Sequence, residues 1–200
     1  MRFLVCVKQV VDTSKMEVDP NTGRLNRNNA NSIINPLDLH ALEAALALRD
    51  QVGGTVTVLT MGPPQAEHVL QYAVSMGADD VYLATDRAFG GAATLATSYT
   101  LAAAIRKLGS FDLIFCGQES LDSNTAQIGP EVAATLSMPD VSGAVDISYE
   151  REGYITVRRQ LSDEDEVLEM KLPALITTAA SLNRPRYPSV LGIMKKDHVE

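Results

Sequence analysis

The chain has 200 residues, of which 46% are hydrophobic and 21% charged, a composition ordinary for a globular domain with a sizeable core. Its formal net charge of −8 leaves no basic excess to neutralise nucleic-acid phosphates, so we expect no nucleic-acid partner. No apolar run approaches the roughly twenty residues that a membrane span needs, and no signal-peptide h-region precedes the first strand. We therefore expect no membrane insertion and a cytoplasmic location, or the mitochondrial matrix if the source is eukaryotic.

Strand and helix patterns alternate through the first two thirds of the chain. Residues 2–8 are predicted to form a strand, and apolar residues at helical spacing predict a helix over 37–51. Apolar strands separated by helices are typical of a parallel sheet covered on both faces. A polar stretch between residues 12 and 33 is predicted to leave the sheet and return. The alternation continues with strand 55–61 and helix 65–76, strand 81–84 and helix 94–108, and strand 111–116 and helix 125–136.

The pattern changes after Pro139. Short strand patterns at 144–149, 154–160 and 166–171 are separated by turn residues and an acidic run, which predicts antiparallel hairpins rather than another crossover. An apolar strand at 172–178 then returns to the sheet. We therefore expect an α/β domain over residues 1–180, with a β-hairpin insertion at about 144–171, followed by a tail over 181–200.

The loop after strand 111–116 is the richest candidate for a ligand site, because ligands of open α/β sheets bind beyond the carboxyl ends of the strands. Gly117 is predicted to permit an unusual backbone angle directly after the strand. Residues 122–124 (Asp-Ser-Asn) are good N-cap residues, so the next helix is predicted to begin at Thr125. Exposed amides at a helix start attract anions, and the side chains of Thr125 and Gln127 are further donors. From the residues alone, a capped helix without a ligand is an equally good interpretation.

Other chemistry-bearing residues favour simpler interpretations. Cys6 and Cys116 lie in apolar strand patterns without CxxC spacing, so we interpret them as packed thiols. Lys8, at the end of the first strand, is interpreted as a solvated charge. The chain has no GxGxxG, P-loop lysine or nucleophile elbow, which disfavours the usual dinucleotide, NTPase and hydrolase classes. We predict no catalytic residue and no metal site.

Several segments together carry a family pattern: VCVKQVVDT, INPLD, VTVLTMGPP, MGADDVYL, FDLIFCGQESLDSNTAQIGPEVAATL, KLPALITT and SLNRPRYPSV. In this order and spacing they resemble electron transfer flavoprotein β subunits over nearly the whole chain. The resemblance implies a Rossmann-like α/β fold of the adenine-nucleotide α-hydrolase-like type. It also implies a heterodimer with an α subunit that carries one FAD, and a further nucleotide in the β subunit.

The resemblance also implies which residues contact that further nucleotide, and they fall in the strand-end loops and at the start of the first predicted helix. Carried over by motif, they are Cys6, Asn35, Pro36, Leu37, Asp38, Met61, Gly117, Gln118, Glu119, Ser120, Leu121, Asp122, Ser123, Asn124, Thr125, Ala126, Gln127 and Ile128.

Two nucleotides are compatible with the resemblance. In electron-bifurcating members of the family the further nucleotide is a second FAD that receives electrons from NADH, whereas in conventional members it is AMP. The phrases DRAFGGAATLATS and NTAQIGP resemble the bifurcating pattern, which favours FAD. Ala93 departs from that pattern, which has aspartate there, and Ser123-Asn124 replaces Gly-Asp. AMP is therefore kept as the alternative.

The tail resembles the loop with which conventional β subunits anchor to partner dehydrogenases, acyl-CoA dehydrogenases among them. Leu182 is the predicted anchor, and the alternative is that its side chain packs on its own sheet. The resemblance thus favours an electron carrier between dehydrogenases and a downstream acceptor, in which flavin does the redox chemistry. The alternative from another class is a nucleotide-binding regulatory module of the same fold, but no glycine-rich phosphate loop late in the chain supports it.

Overall fold

The computed structural model describes residues 1–12 and 32–195. The strands are β1 (Arg2–Val7), β2 (Gln9–Val11), β3 (Ser32–Ile34), β4 (Thr55–Met61), β5 (Asp80–Ala84), β6 (Leu113–Gly117), β7 (Asp140–Ser148), β8 (Tyr154–Gln160), β9 (Asp165–Lys171) and β10 (Ala174–Thr178). The helices are α1 (Pro36–Val52), α2 (Glu67–Met76), α3 (Thr94–Leu108), α4 (Ile128–Leu136) and α5 (Val190–Lys195). Residues 13–31, most of the predicted polar stretch, lie outside the described residues, as do residues 196–200 of the tail.

The main sheet has the strand order β5-β4-β1-β6-β10-β7-β8-β9. Strands β5 to β7 in that order run parallel, and helices α1 to α4 form the crossovers between them, except that β10 follows the hairpin strands β8 and β9. The chain moves outward from β1 through β4 to β5, then returns to β6 on the other side of β1. The strand order therefore reverses between β1 and β6, where open α/β sheets bind ligands. The predicted Rossmann-like parallel sheet is confirmed.

The far end of the sheet is antiparallel, as predicted. β8 pairs antiparallel with both β7 and β9. β7 begins at Asp140 rather than at residue 144, because its first residues pair in parallel with β10 before the strand turns to meet β8. Gly143, with φ of +74°, lies at a register irregularity within the β7–β10 pairing, where the left-handed conformation favours glycine. A small antiparallel ribbon of β2 and β3 was not predicted.

The apolar residues of the strands divide between two layers of helices. Phe3, Val5 and Val7 of β1 pack with α1 and α2, whereas Leu4 and Cys6 pack with α3 and α4. This alternation follows from the two-residue period of a strand, which sends successive side chains to opposite faces. Each large side chain buried here contributes about 1.5–3 kcal/mol. The parallel part of the sheet is covered on both faces, whereas β9 at the antiparallel end has one exposed face.

The tail lies against α2. The backbone amide of Ser189 donates to the carbonyl of Ser75 at 3.0 Å, and α5 packs against the same helix. Gly192 is required there because a Cβ would overlap the Ser75 backbone. No helix within the described ranges is both long enough and apolar enough to cross a lipid bilayer.

Candidate functional site: a cavity at the carboxyl ends of β1 and β6

A cavity of about 610 Å³ lies where the strand order reverses. Its volume is in the range of small-molecule and cofactor sites, roughly 300–1,000 Å³. Five parts of the chain line it: the end of β1, the start of α1, the end of β4, the end of β6 with its following loop, and the segment that leads into α3. We call Cys6, Asp38, Cys116 and Gly117 the floor of the cavity, and residues 120–127 its rim loop.

Asp38 joins the two strands that meet at the floor. Its carboxylate accepts the backbone amide of Lys8 at 2.7 Å and the backbone amide of Gly117 at 3.1 Å. Burial raises the pKa of Asp38 from 3.8 to about 7, because the hydrogen bonds to Asn35, Lys8 and Gly117 offset only part of the cost of burying a charge. The start of α1 is thereby fixed to the ends of β1 and β6.

Gly117 fits between β6 and the start of α1 because it has no side chain. Its backbone is not in the left-handed region, so the predicted unusual angle is wrong. A Cβ at this position would overlap the Asp38 carboxylate and approach the backbone carbon of Leu37 to 2.8 Å. The sequence therefore requires glycine because the start of α1 packs directly against the strand.

Asn35 supports the rim loop from below. The side chain is buried, its Nδ2 donates to the carbonyl of Glu119 at 2.8 Å, and its Oδ1 accepts the amide of Leu121 at 3.1 Å. The backbone amide of Asn35 also donates to the carbonyl of Lys8 at 2.8 Å. Asn35 consequently positions the residues that follow β6, although it does not itself line the cavity.

Lys8 lines the cavity and its side chain is half-exposed, so its charge is solvated, as predicted, but also forms part of the site. Its Nζ lies 2.7 Å from Oδ1 of Asp122 and donates to Oγ of Ser120 at 3.3 Å. The Ser120 hydroxyl is in turn 2.6 Å from that of Ser123. Partial burial raises the pKa of Asp122, but the hydrogen bonds from Lys8 and Ser120 outweigh it and hold the pKa below its usual value. The sequence signal was the position of Lys8 directly after a central strand.

The rim loop is not the start of a helix, contrary to the prediction. The amides of Ser123 and Asn124 both bond to the carbonyl of Ser120 at 3.2 and 2.9 Å, which closes a turn. Asn124 and Ala126 have φ of +49° and +53°, a left-handed conformation that cannot continue a right-handed helix. Helix α4 begins at Ile128, and Gln127 precedes it without a side-chain cap. Thr125 and Gln127 therefore line the cavity from a loop.

Cys6 and Cys116 are neighbours across the β1–β6 pair and are both buried free thiols. A hydrogen bond to Cys6, together with burial, raises the pKa of the Cys116 thiol well above its ordinary value. Such a thiol is a poor nucleophile, because reactivity belongs to the thiolate. The interpretation of packed thiols agrees with this environment, although both side chains also face the cavity.

Most of the predicted nucleotide contacts line one cavity, although four separate segments of the chain contribute them. Those that line it are Cys6, Asp38, Met61, Gly117, Gln118, Glu119, Ser120, Asp122, Ser123, Thr125, Ala126, Gln127 and Ile128. Those that do not are Asn35, Pro36, Leu37, Leu121 and Asn124.

The segment leading into α3 completes the cavity and was absent from the predicted contacts. Phe89, Ala93, Thr94 and Thr97 are among its lining residues. The hydroxyl of Thr94 donates to the Glu131 carboxylate at 3.4 Å, which links the starts of α3 and α4. The signal was available in the phrase DRAFGGAATLATS, which resembles a family motif.

Leu182 is half-buried and packs against the core cluster that contains α1. Its loop is fixed by Asn183, which donates to the carbonyl of His40 at 2.9 Å, and by Arg186, whose guanidinium contacts Glu43 at 2.8 and 3.1 Å. The exposed apolar side chain of this loop is instead Tyr187, which is 91% exposed. The role of Leu182 as an anchor stays a prediction.

Comparison with known proteins assigns the chain to a family. Residues 22–200 match the model of the electron transfer flavoprotein domain. The chain belongs to the electron transfer flavoprotein β-subunit family. Subunit CarD of the caffeyl-CoA reductase–Etf complex of Acetobacterium woodii is 51% identical over 195 residues, covering 97% of this chain and 74% of CarD.

Two further relatives of this family also cover most of the chain. The electron transfer flavoprotein β subunit of Thermoanaerobacterium thermosaccharolyticum is 48% identical, covering 96% of this chain and 74% of that protein. FixA of Azorhizobium caulinodans is 43% identical, covering all of this chain and 73% of FixA. An electron-transfer β-subunit role and an association with flavin follow for this chain from the family. The further nucleotide and the partners are a separate question.

Proposed function

We propose that the cavity at the β1–β6 junction holds a second FAD, in a heterodimer with an α subunit that carries the first. The observation that carries this proposal is the composition of the cavity wall. The segment 86–98, whose sequence resembles the second-FAD pattern, lines the same cavity as the rim loop. Two segments distant in sequence thus contribute to one site of cofactor size.

The residues present fit a phosphate-bearing nucleotide with a large planar ring. Met61, Phe89 and Leu101 supply apolar wall, whereas Lys8, Thr125 and Gln127 supply polar donors. Cofactor sites typically combine an apolar lining with a few placed polar groups. When bound, the flavin supplies the transfer of electrons, and the chain supplies binding and orientation.

The residues of this chain have distinct tasks in that proposal. Asp38 and Asn35 hold the strand ends and the rim loop in place through hydrogen bonds to backbone groups. Thr125 and Gln127 donate to phosphate oxygens. The apolar wall excludes water from the ring, which strengthens the polar contacts beside it. We assign no bond-making catalysis to a side chain.

AMP is the second candidate for the same cavity. Ala93 and Ser123 both line it and both depart from the second-FAD pattern, since an aspartate and a glycine are replaced. With AMP bound, the chain is a conventional carrier that relies on the FAD of the α subunit alone. NADH-dependent bifurcation belongs only to the second-FAD case.

We also propose an acyl-CoA-type dehydrogenase or reductase as partner, and a cytoplasmic location. The support is that two relatives carry names of this kind, the caffeyl-CoA reductase–Etf complex subunit and the acryloyl-CoA reductase electron transfer subunit of Anaerotignum propionicum. The loop around Tyr187 and Leu182 is the proposed contact surface.

Quantifying the nucleotides released by acid from the purified heterodimer tests the proposal. Two FAD per heterodimer is the expected result. One FAD with one AMP selects the conventional carrier, ATP alone selects the regulatory module, and no nucleotide beyond the α-subunit FAD overturns the site.

A pair of variants on α3 ties the nucleotide to this cavity. Thr97→Phe fills part of the cavity and is expected to lower the second nucleotide below one equivalent. Thr100→Phe makes the same change one turn further along α3, outside the cavity lining, and is expected to retain it. Equal nucleotide content in the two variants would place the nucleotide elsewhere.

A further inference from the structure

We propose that Lys8 is the anion-binding side chain of the cavity and that Asp122 occupies it until a ligand phosphate takes its place. The inference rests on the proposed nucleotide-binding function and adds a residue and a competition that the family pattern does not supply. It identifies the ligand class as compounds with a phosphate group, whether AMP or FAD.

The charges of the cavity wall call for a cationic side chain that binds the phosphate. Among the described residues that line the cavity, Lys8 is the one cation, whereas Asp38, Glu119 and Asp122 are carboxylic acids. A phosphate-bearing ligand that enters this cavity meets a surplus of negative charge, which repels it. A cation at the wall offsets that repulsion and gives the phosphate a specific place.

Backbone amides of the rim loop supply only part of what a phosphate needs. The amides of Ser123 and Asn124 are already bonded to the carbonyl of Ser120. Helix α4 starts beyond the loop, and Pro130 in its first turn has no amide hydrogen to donate. The start of α4 therefore offers fewer free amides to a phosphate than a capped helix beginning at Thr125 would. A larger part of the phosphate's binding energy must then come from Lys8.

The ion pair between Lys8 and Asp122 has the properties of a replaceable contact. The two charged atoms are 2.7 Å apart, but the side chains remain 44% and 46% exposed. Exposed ion pairs are weak because water competes for both partners. A phosphate brings up to two charges and several acceptor oxygens, so it displaces a single half-exposed carboxylate from Lys8.

The hydroxyls of Ser120 and Ser123 extend this contact. Ser120 contacts both Lys8 and Ser123, so the three polar groups form a short chain along the rim. Hydroxyl groups rotate freely between acceptors and donors. When Asp122 leaves, Ser120 is able to donate to the same phosphate that Lys8 binds.

Calorimetric titration of the full heterodimer, stripped of its cavity nucleotide, tests the competition with AMP, FAD and the phosphate-free probe adenosine. Lys8→Gln is expected to weaken AMP and FAD binding by about tenfold to a hundredfold, the worth of a charge-assisted hydrogen bond. Asp122→Asn is expected to tighten it about threefold to tenfold. Neither variant is expected to alter adenosine binding, because adenosine lacks the phosphate.

The double variant distinguishes displacement from simple repulsion. If Asp122 acts by occupying Lys8, Asp122→Asn has no effect on AMP affinity in the Lys8→Gln background. If Asp122 merely repels the ligand, its effect persists there, and the proposal is wrong. Lys8→Arg keeps the charge and is expected to retain most of the affinity, which guards against a general loss of structure.

Control variants remove equal charges elsewhere. Lys107→Gln, at the opposite end of α3, and Asp163→Asn, between β8 and β9, are exposed and are expected to leave AMP affinity unchanged. AMP and FAD affinity unchanged in Lys8→Gln overturns this inference alone. A wild-type heterodimer that binds no AMP and no FAD overturns the nucleotide site itself, and this inference with it.

Discussion

The floor and the rim loop of the cavity differ in how they are held. The side chains of Cys6, Asp38 and Cys116 in the floor are buried, and the Asp38 carboxylate accepts the backbone amides of Lys8 and Gly117 from two other elements. The rim loop is largely exposed, and its turn bonds chiefly within itself. Substitutions in the floor should therefore change the folding free energy first, whereas substitutions in the rim loop should change ligand affinity with little effect on folding.

The largest expected effect is on the pH dependence of stability, through Asp38. Its pKa is about 7 in the folded chain and 3.8 when unfolded. Between these values the folded state holds a proton that the unfolded state has lost, so stability from this group is complete below about 3.8 and falls as pH rises through 7.

Asp38→Asn should remove this dependence. Relative to wild type, the free energy of unfolding of the variant is expected to rise by on the order of 4 kcal/mol between pH 4 and 8, since each pKa unit corresponds to about 1.4 kcal/mol. Urea unfolding across this range measures the difference, and Asp163→Asn controls for net charge. If the difference in free energy of unfolding between wild type and Asp38→Asn stayed constant across this pH range, burial in the floor would not disfavour the charged form of Asp38.

Gly117→Ala is the next most damaging change. The added Cβ would overlap the Asp38 carboxylate and crowd the backbone at Leu37, and backbone cannot rotate away as a side chain can. We expect a loss of about 3 kcal/mol in the free energy of unfolding. Gly90→Ala is the control in the segment that leads into α3, because its Cβ would approach no other atom more closely than 3.3 Å. Similar losses in both variants would contradict the tight junction.

Asn35→Ala tests the link between floor and rim loop. It removes both side-chain hydrogen bonds to the loop after β6 and is expected to lower the free energy of unfolding by about 2 kcal/mol. Asn183→Ala is a matched control, because Asn183 also makes two polar contacts, with His40, but in the tail. Both variants should lower the unfolding midpoint, whereas nucleotide affinity should fall only in Asn35→Ala. Loss of affinity in both would mean that stability alone governs binding.

Thr125→Ala should have the smallest effect on folding, below about 0.5 kcal/mol, because the residue is exposed in the rim loop. Nucleotide affinity is expected to fall about fivefold, since the hydroxyl is a proposed phosphate donor. Thermal unfolding and calorimetric titration separate the two quantities. Thr100→Ala removes a hydroxyl outside the cavity and should change neither. A destabilisation as large as that of Asn35→Ala would remove the distinction between floor and rim loop.

Much of the site was accessible from sequence, and the misses have identifiable causes. Strand-end position and family pattern led to Asp38, Met61 and the loop after β6. The helix start was misplaced because residues 122–124 have good N-cap side chains, yet the turn closed by the Ser120 carbonyl uses two of the amides such a helix start would expose. The contact of Lys8 with Asp122 was not predicted, because the two residues lie 114 positions apart in the chain.

The amino-acid sequence by itself determined the fold class, the alternation of strands and helices, and the edge of the sheet that carries the site. These follow from hydrophobic period and chain order, which are local properties. Tertiary structure decided why Gly117 must be glycine, that Asn35 supports rather than lines the cavity, and that Lys8 meets Asp122. Each of these depends on contacts between elements distant in sequence, and no local pattern records them.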